Sequence, residues 1–165
     1  MNAGMFHADF RPVGLLVVDG RTLGPINRSS GHGNFFLQPN GVFMVDADGA
    51  RVLATHVYRN AEPGLATQSG PMLLDRGLIP DIIAFRPTST SRFIRNGVCA
   101  QSPQLVVFVI SEGPVNFFEF ARFFRDSLGC RDALYLDGSV SSLYAPQLGR
   151  ADRHSRLGPM FAVTR

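Results

Sequence analysis

The sequence predicts an α+β domain: a mixed, largely antiparallel curved β-sheet with one strong amphipathic helix and short helices beside it. Three observations carry that prediction. Short apolar runs alternate with turn dipeptides through the first two-thirds of the chain. One segment, and one only, shows helical spacing with both caps in place. No repeat, linker or composition shift interrupts the 165 residues, so residues 1–165 read as a single domain.

Residues 13–18 form an apolar run ended by Asp19-Gly20, a turn dipeptide, and 21–26 read as the returning strand. Residues 27–33 are polar and glycine-rich, hence a loop. Residues 34–37 read as a short strand, Pro39-Asn40-Gly41 as a turn and 42–45 as the next strand. Asp-Ala-Asp-Gly at 46–49 closes a hairpin whose second strand is 52–58. Residues 67–74 begin polar and end apolar, stopped by Asp75-Arg76-Gly77. Pro80, Pro87 and a Ser/Thr cluster make 80–91 mostly loop. Residues 91–99 are extended. Residues 105–110 are the most apolar run of the chain, and its unbroken hydrophobicity predicts a strand buried on both faces.

The helix follows. Asn116 is a good N-cap and Glu119 sits three positions on, the pattern of a capping box. Phe117, Phe120, Ala121, Phe124 and Leu128 recur at helical spacing and form one apolar stripe, read as core. Gly129 is the expected residue past the C-cap, and Arg122 and Arg125 lie toward the negative end of the helix dipole. Residues 133–136 are a short buried strand running into Asp137-Gly138-Ser139. A short helix is expected at 142–144, halted by Pro146, and a closing strand at 160–164.

Composition narrows the function classes. Hydrophobic residues at 45% exclude a disordered chain. No apolar run approaches the length needed to span a bilayer. The net charge is +3 with a pI near 9.4, and every basic residue is an arginine. The arginines are scattered, with no basic stripe, which speaks against a nucleic-acid partner. His7, His32, His56 and His154 have no ligand spacing, so no metal is expected, nor any cofactor. Cys99 and Cys130 make no framework; they read as two semi-buried thiols, with a disulfide between them as the open alternative. The opening Met-Asn-Ala-Gly-Met-Phe is neither a signal peptide nor a helix start. It reads like the inside of a domain, so either the chain starts at a buried edge or a natural start lies upstream.

Polar residues gather beside apolar strands in three places. Asp137-Gly138-Ser139 with Ser141 puts a carboxylate at the end of a buried strand, followed by glycine and hydroxyls. Such a segment holds a ligand and offers backbone N–H groups to an anion, or else Asp137 caps a turn. Gln68-Ser69-Gly70-Pro71 interrupts a strand at a glycine, which marks a close backbone approach or a bulge. Arg95-Asn96-Gly97 offers a guanidinium suited to phosphate or carboxylate, or a surface turn. The Asn2-Ala3-Gly4 opening is a candidate fourth element.

Taken in order, Asn-Ala-Gly-Met-Phe at 2–6, Gly-Asn-Phe-Phe at 33–36, Pro-Asn-Gly-Val-Phe at 39–43, Gln-Ser-Gly-Pro at 68–71, Arg-Asn-Gly-Val at 95–98 and Leu-Tyr-Leu-Asp-Gly at 134–138 resemble the phosphodiester glycosidase family. This is the family of the lysosomal uncovering enzyme, and the chain is most similar to its short bacterial branch. The resemblance runs from residue 2 to about residue 146. Family members carry further chain before the first motif, so the resemblance implies a missing N-terminal segment. Ser139 and Val140 stand where the family has glycines, which narrows the backbone approach to a substrate.

The resemblance implies a hydrolase that cleaves the sugar C1–O bond of a glycosyl phosphodiester, of the N-acetylglucosamine-1-phosphodiester kind, drawn from a cell-envelope conjugate. It also implies a bacterial, extracytoplasmic setting, periplasmic or secreted. A phosphate monoester leaves readily, so stabilising the departing charge matters more than protonating it; Arg95 and backbone N–H groups suit that role. A carboxylate is still needed at the oxocarbenium-like centre or to activate water. Asp137 is the first choice and Glu112, just past the apolar strand, the second. Asn2, Gly4, Asn34, Gln68, Ser69, Gly70, Asn96, Gly138, Ser139 and Ser141 are the expected substrate-binding residues. The alternative is a non-catalytic module that binds sugar phosphates.

Overall fold

The structure, a computed structural model, describes residues 1–59, 62–138, 140–153 and 155–164. Strand β1 (Leu16–Val18) turns back into β2 (Arg21–Gly24) through Asp19 and Gly20, both at positive φ, as a tight hairpin requires. Strands β3 (Gly41–Asp46), β4 (Gly49–Ala54) and β5 (Leu65–Ser69) complete a five-stranded sheet in the order β2-β1-β5-β3-β4. A second, four-stranded sheet is built from β6 (Met72–Leu74), β7 (Asn96–Ser102), β8 (Leu105–Ile110) and β9 (Ala133–Tyr135), in the order β6-β9-β7-β8. A small hairpin of β10 (Tyr144–Ala145) and β11 (Arg150–Ala151) stands apart. The strand pairings among the described residues are antiparallel.

The pleat explains the layering. On the four-stranded sheet, Met72, Val98, Leu134 and Leu136 point toward the other sheet and pack on Phe43, Val52 and Ala54. Ala133, Tyr135 and Cys99 point the opposite way, onto Phe117, Phe120 and Phe124 of the helix. The result is sheet, sheet, helix, with β9 central and buried on both faces. Helix α1 (Phe117–Arg122) widens into a π-type turn at Phe123–Ser127 and stops at Gly129, whose φ is positive. Its capping box is formed in both directions: Asn116 accepts from the Glu119 N–H at 2.9 Å and its own N–H donates to Glu119 Oε2 at 3.1 Å.

Several expectations are corrected. Residues 105–110 are a strand, but an edge strand, and only half-buried. Val107 and Val109 reach the helix layer and Val106 and Phe108 the inter-sheet core, while no strand among the described residues pairs with the outer edge. Residues 34–37 are not a strand: the chain turns as a 3-10 helix at Asn34–Phe36, with the Phe36 N–H bonded to Gly33 O and the Leu37 N–H to Asn34 O. The helix expected at 142–144 is absent. The Leu143 N–H donates to Asp152, and the Asp152 N–H to Leu143 O, which draws the segment into the β10–β11 hairpin, with a 3-10 turn at Pro146–Leu148. Residues 160–164 form no strand; one bridge, Asn2 with Met160, and a bond from the Phe161 N–H to Met1 O tie them to the opening segment. Cys99 and Cys130 are not free thiols but a disulfide, joining β7 to the end of the helix.

Candidate active site

Two ladders meet at β9. Gly97 stands opposite Tyr135, and the Leu136 N–H donates to Asn96 O at 3.1 Å. Met72 stands opposite Leu134, and the Tyr135 N–H donates to Pro71 O at 3.1 Å. Carrying the β7–β9 register one step past the Leu136–Asn96 bond sets Asp137 opposite Arg95, while on the β6 side the chain leaves the sheet at Pro71 and crosses through Gly70 to Ser69 in β5. Three segments distant in sequence thus end at one rim of the sheet. Alternation puts Arg95, Tyr135 and Asp137 on the helix-facing side, and Asn96 on the side facing the other sheet. Ser69 closes β5 opposite Gly41, two residues on from the Phe43–Thr67 pair, so it faces the same inter-sheet space.

Each expected residue has a place. Asn2 is buried; its amide donates to Val140 O at 3.0 Å and its Oδ1 accepts from the Ser142 N–H at 2.7 Å. The opening segment is therefore laid across the loop that follows Asp137. Gly4 donates to the Thr67 hydroxyl at 3.0 Å. Gln68 is a structural tie: Oε1 accepts from Leu15 and Asn27, and Nε2 donates to Asn27 O and the Thr55 hydroxyl. Gly70 lets the chain cross between sheets, because a side chain there would meet Phe35 O at 2.6 Å. Ser141 is buried and donates weakly to Asp137 O at 3.4 Å. Ser139 lies outside the described residues.

Arg95 is 1% exposed, beneath Phe117, whose ring centroid is 3.7 Å from the guanidinium carbon. Its Nε donates to Val115 O and its Nη2 to Ser91 O, both at 2.9 Å. Burial pulls its pKa down from the usual guanidinium value, and the Tyr135 phenol oxygen opposes that. An open phosphate clamp would present its fork to solvent; this guanidinium is buried, with two of its donors on backbone carbonyls. Its Nη1 remains without a well-formed hydrogen bond, as do the Ser69 hydroxyl and both amide atoms of Asn96. Unpartnered buried polar atoms are costly, so their gathering at one rim is chemically significant. Glu112 lies elsewhere: its side chain is 91% exposed and pairs with Arg150 at 3.2 Å. Nothing there fixes or desolvates it for catalysis. Asp137, at 6% exposure, is the carboxylate held within the rim.

The residue that sequence reasoning passes over is Tyr135. Its phenol lies among Asn34, Arg95 and Asp137 and against Gly138, where an added Cβ would fall 1.6 Å from the phenol oxygen. Burial raises its pKa, and the Asp137 carboxylate adds to that, so the phenol stays protonated and able to donate. The signal was present as period-two spacing: Tyr135 and Asp137 share a strand face.

Beside the rim opens a cavity of about 290 Å³, floored by Thr55 and walled by Asn40 and Phe36. Asn40 packs on Gly70, Thr55 is bonded to Gln68, and Phe36 belongs to the same turn as Asn34. Its wall residues are thus neighbours of Gln68, Gly70 and Asn34.

A family model described as phosphodiester glycosidase matches residues 1–158. The chain belongs to the phosphodiester glycosidase family. A curated relative, the uncharacterized protein YigE of Escherichia coli (strain K12), is 37% identical over 145 residues, covering 87% of this chain and 56% of the relative. Among solved structures, the catalytic domain of zebrafish N-acetylglucosamine-1-phosphodiester alpha-N-acetylglucosaminidase, auto-inhibited by its pro-peptide, superposes with a TM-score of 0.56 at 19% identity. That match covers 83% of this chain and 49% of the other, and shows a shared fold. The chain spans about half the length of these relatives.

Proposed function

We propose that this member of the family hydrolyses the sugar C1–O bond of a glycosyl phosphodiester, of the N-acetylglucosamine-1-phosphodiester kind, within a cell-envelope conjugate. The observation that carries the reading is the buried Asp137, next in register to Arg95, on a rim where the Ser69 hydroxyl, Arg95 Nη1 and the Asn96 amide atoms lack well-formed hydrogen bonds. In the step, water oxygen bonds to C1 as the bond to the phosphate oxygen breaks; the electron pair leaves with the phosphomonoester. Asp137 stabilises the oxocarbenium-like centre or takes the proton of water. Tyr135, neutral and buried, positions that carboxylate and keeps a donor in place. Arg95 acts from behind Tyr135 as a fixed positive charge, its effect strengthened by the low dielectric around it. The Cys99–Cys130 disulfide suits an oxidising compartment and supports an extracytoplasmic setting.

A second reading has an observation of its own: the Val140 carbonyl accepts from the Asn2 amide and the Ser142 hydroxyl, both at 3.0 Å, which fixes Val140 where the family resemblance has a glycine. A side chain fixed there favours a module that binds sugar phosphates without turning them over. The test is incubation of the protein with a panel of N-acetylglucosamine-1-phosphodiesters, followed by mass spectrometry for free sugar. Release by wild type and its loss in Asp137→Asn supports the enzyme. Calorimetric binding with no release over days supports the module. No release and no binding across the panel overturns both.

A further inference from the structure

The cavity beside the rim contains the side chain that suits a free anion best, and it is not Arg95. Arg28 reaches across the cavity wall, and its Nη1 and Nη2 donate to Thr55 O and Tyr58 O at 2.6 and 2.9 Å. Two of a guanidinium's five donors are thereby spent on backbone carbonyls, which fix its plane without neutralising it. No carboxylate pairs with Arg28 among the described residues, and none lines its cavity. Four other cavities differ. Those at Glu119 and Asp126, at Asp46 and Glu62, and at Glu112 and Arg150 each hold a carboxylate, and the arginine at the cavity of Arg11 is already paired with Asp9. Around Arg28 the remaining wall carries the hydroxyls of Ser29 and Ser30 and the His56 ring, while the Asn40 amide already donates to Phe35 O at 3.0 Å.

We infer that the Arg28 cavity is an anion site that takes a phosphoryl group. Identifying that anion as the phosphate of the substrate rests on the glycosidase reading; anion binding itself does not. The division of labour is then physical. Arg95 is too enclosed to grip a phosphate, whereas Arg28 is anchored, charged and open, in a cavity whose wall residues Thr55 and Asn40 touch Gln68 and Gly70. Being reachable by solvent, the site weakens with added salt.

The probes are inorganic phosphate and N-acetylglucosamine-1-phosphate, titrated calorimetrically up to ~10 mM at low and at raised salt. Wild type is expected to bind both, more weakly as salt rises. Arg28→Gln should lose at least about tenfold in affinity, as expected for a charge-assisted contact. Because Arg28 also ties two carbonyls, Ser30→Asp provides the second variant: it sits on an exposed loop, leaves those bonds intact and adds a negative charge to the wall. It too should lose at least about tenfold, with the melting temperature unchanged. Undiminished binding in folded Arg28→Gln and Ser30→Asp overturns the site, as does failure of wild type to bind either probe. Phosphate binding that depends on Arg28 in a protein that hydrolyses nothing leaves this site standing and removes the glycosidase reading alone.

Discussion

At the scale of single residues, Asp137 and Gly138 separate chemistry from packing. Asp137→Asn keeps the shape and removes the charge. If the carboxylate serves the sugar carbon, kcat falls more than tenfold, or ~1.4 kcal/mol in barrier, with KM and melting temperature nearly unchanged. A residue that merely caps a turn would tolerate the change, since Asn serves turns as well as Asp does. Retention of more than about a tenth of wild-type kcat would therefore remove Asp137 from the chemistry. Gly138→Ala tests the contact with Tyr135. The ring it would strike is 1% exposed and held edge-on by Phe117 at 4.8 Å, so it has nowhere to go. The strain should cost about 1–3 kcal/mol, a fall in melting temperature of roughly 5 °C. Adding Tyr135→Phe should recover part of that, because the nearest atom is gone. An Ala variant that melts like wild type would show that the ring is free to move.

At the scale of elements, the helix is anchored from outside itself. Asn116 caps it and also donates to Pro87 O and Ser89 O, both at 3.2 Å, so it fixes the preceding loop as well. Asn116→Ala should cost about 2 kcal/mol, above the ~1 kcal/mol of a cap alone. Glu119 is held below its usual carboxylate range, first by the Arg92 guanidinium and then by the Asn116 N–H. A carboxyl whose native pKa is depressed stabilises the fold fully above its unfolded value, 4.5, and loses that stabilisation as pH falls through the native one. The melting-temperature advantage of wild type over Glu119→Gln should accordingly be complete above pH 4.5 and shrink on acidification. Its size is modest, since the pair with Arg92 is exposed. An advantage that stays constant down to about pH 2 would show that the carboxylate charge contributes nothing.

At the scale of the whole molecule, the Cys99–Cys130 bond ties the central layer to the helix across 31 residues. Chain-entropy arguments assign a loop of that length about 3–4 kcal/mol. Reduction, or the double change Cys99→Ser with Cys130→Ser, should lower the melting temperature by roughly 10 °C. Coincident melts with and without reductant would mean that the thiols do not pair.

Local chemistry alone determined much of this protein. The helix, both its caps and its Phe stripe follow from side chains three and four positions apart, and the β1–β2 turn follows from the tolerance of Asp19-Gly20 for positive φ. The polar motifs were legible too, because a carboxylate after a buried strand and a glycine within one are unusual locally. What one stretch of chain could not decide was which partner it would meet. Residues 105–110 look like a central strand because hydrophobicity records burial potential, whereas edge or centre depends on β7 and β9 lying to one side only. The pairing of Cys99 with Cys130 needed the helix to return its end to β7. Arg95 reads as an open clamp until Phe117 closes over it, and Tyr135 reads as core until Asn34, Arg95 and Asp137 surround its hydroxyl. The rim itself is a tertiary object: the ladders of β6, β9 and β7 bring Pro71, Asp137 and Arg95 to the same end of one sheet, because cross-strand register joins residues that no local pattern relates.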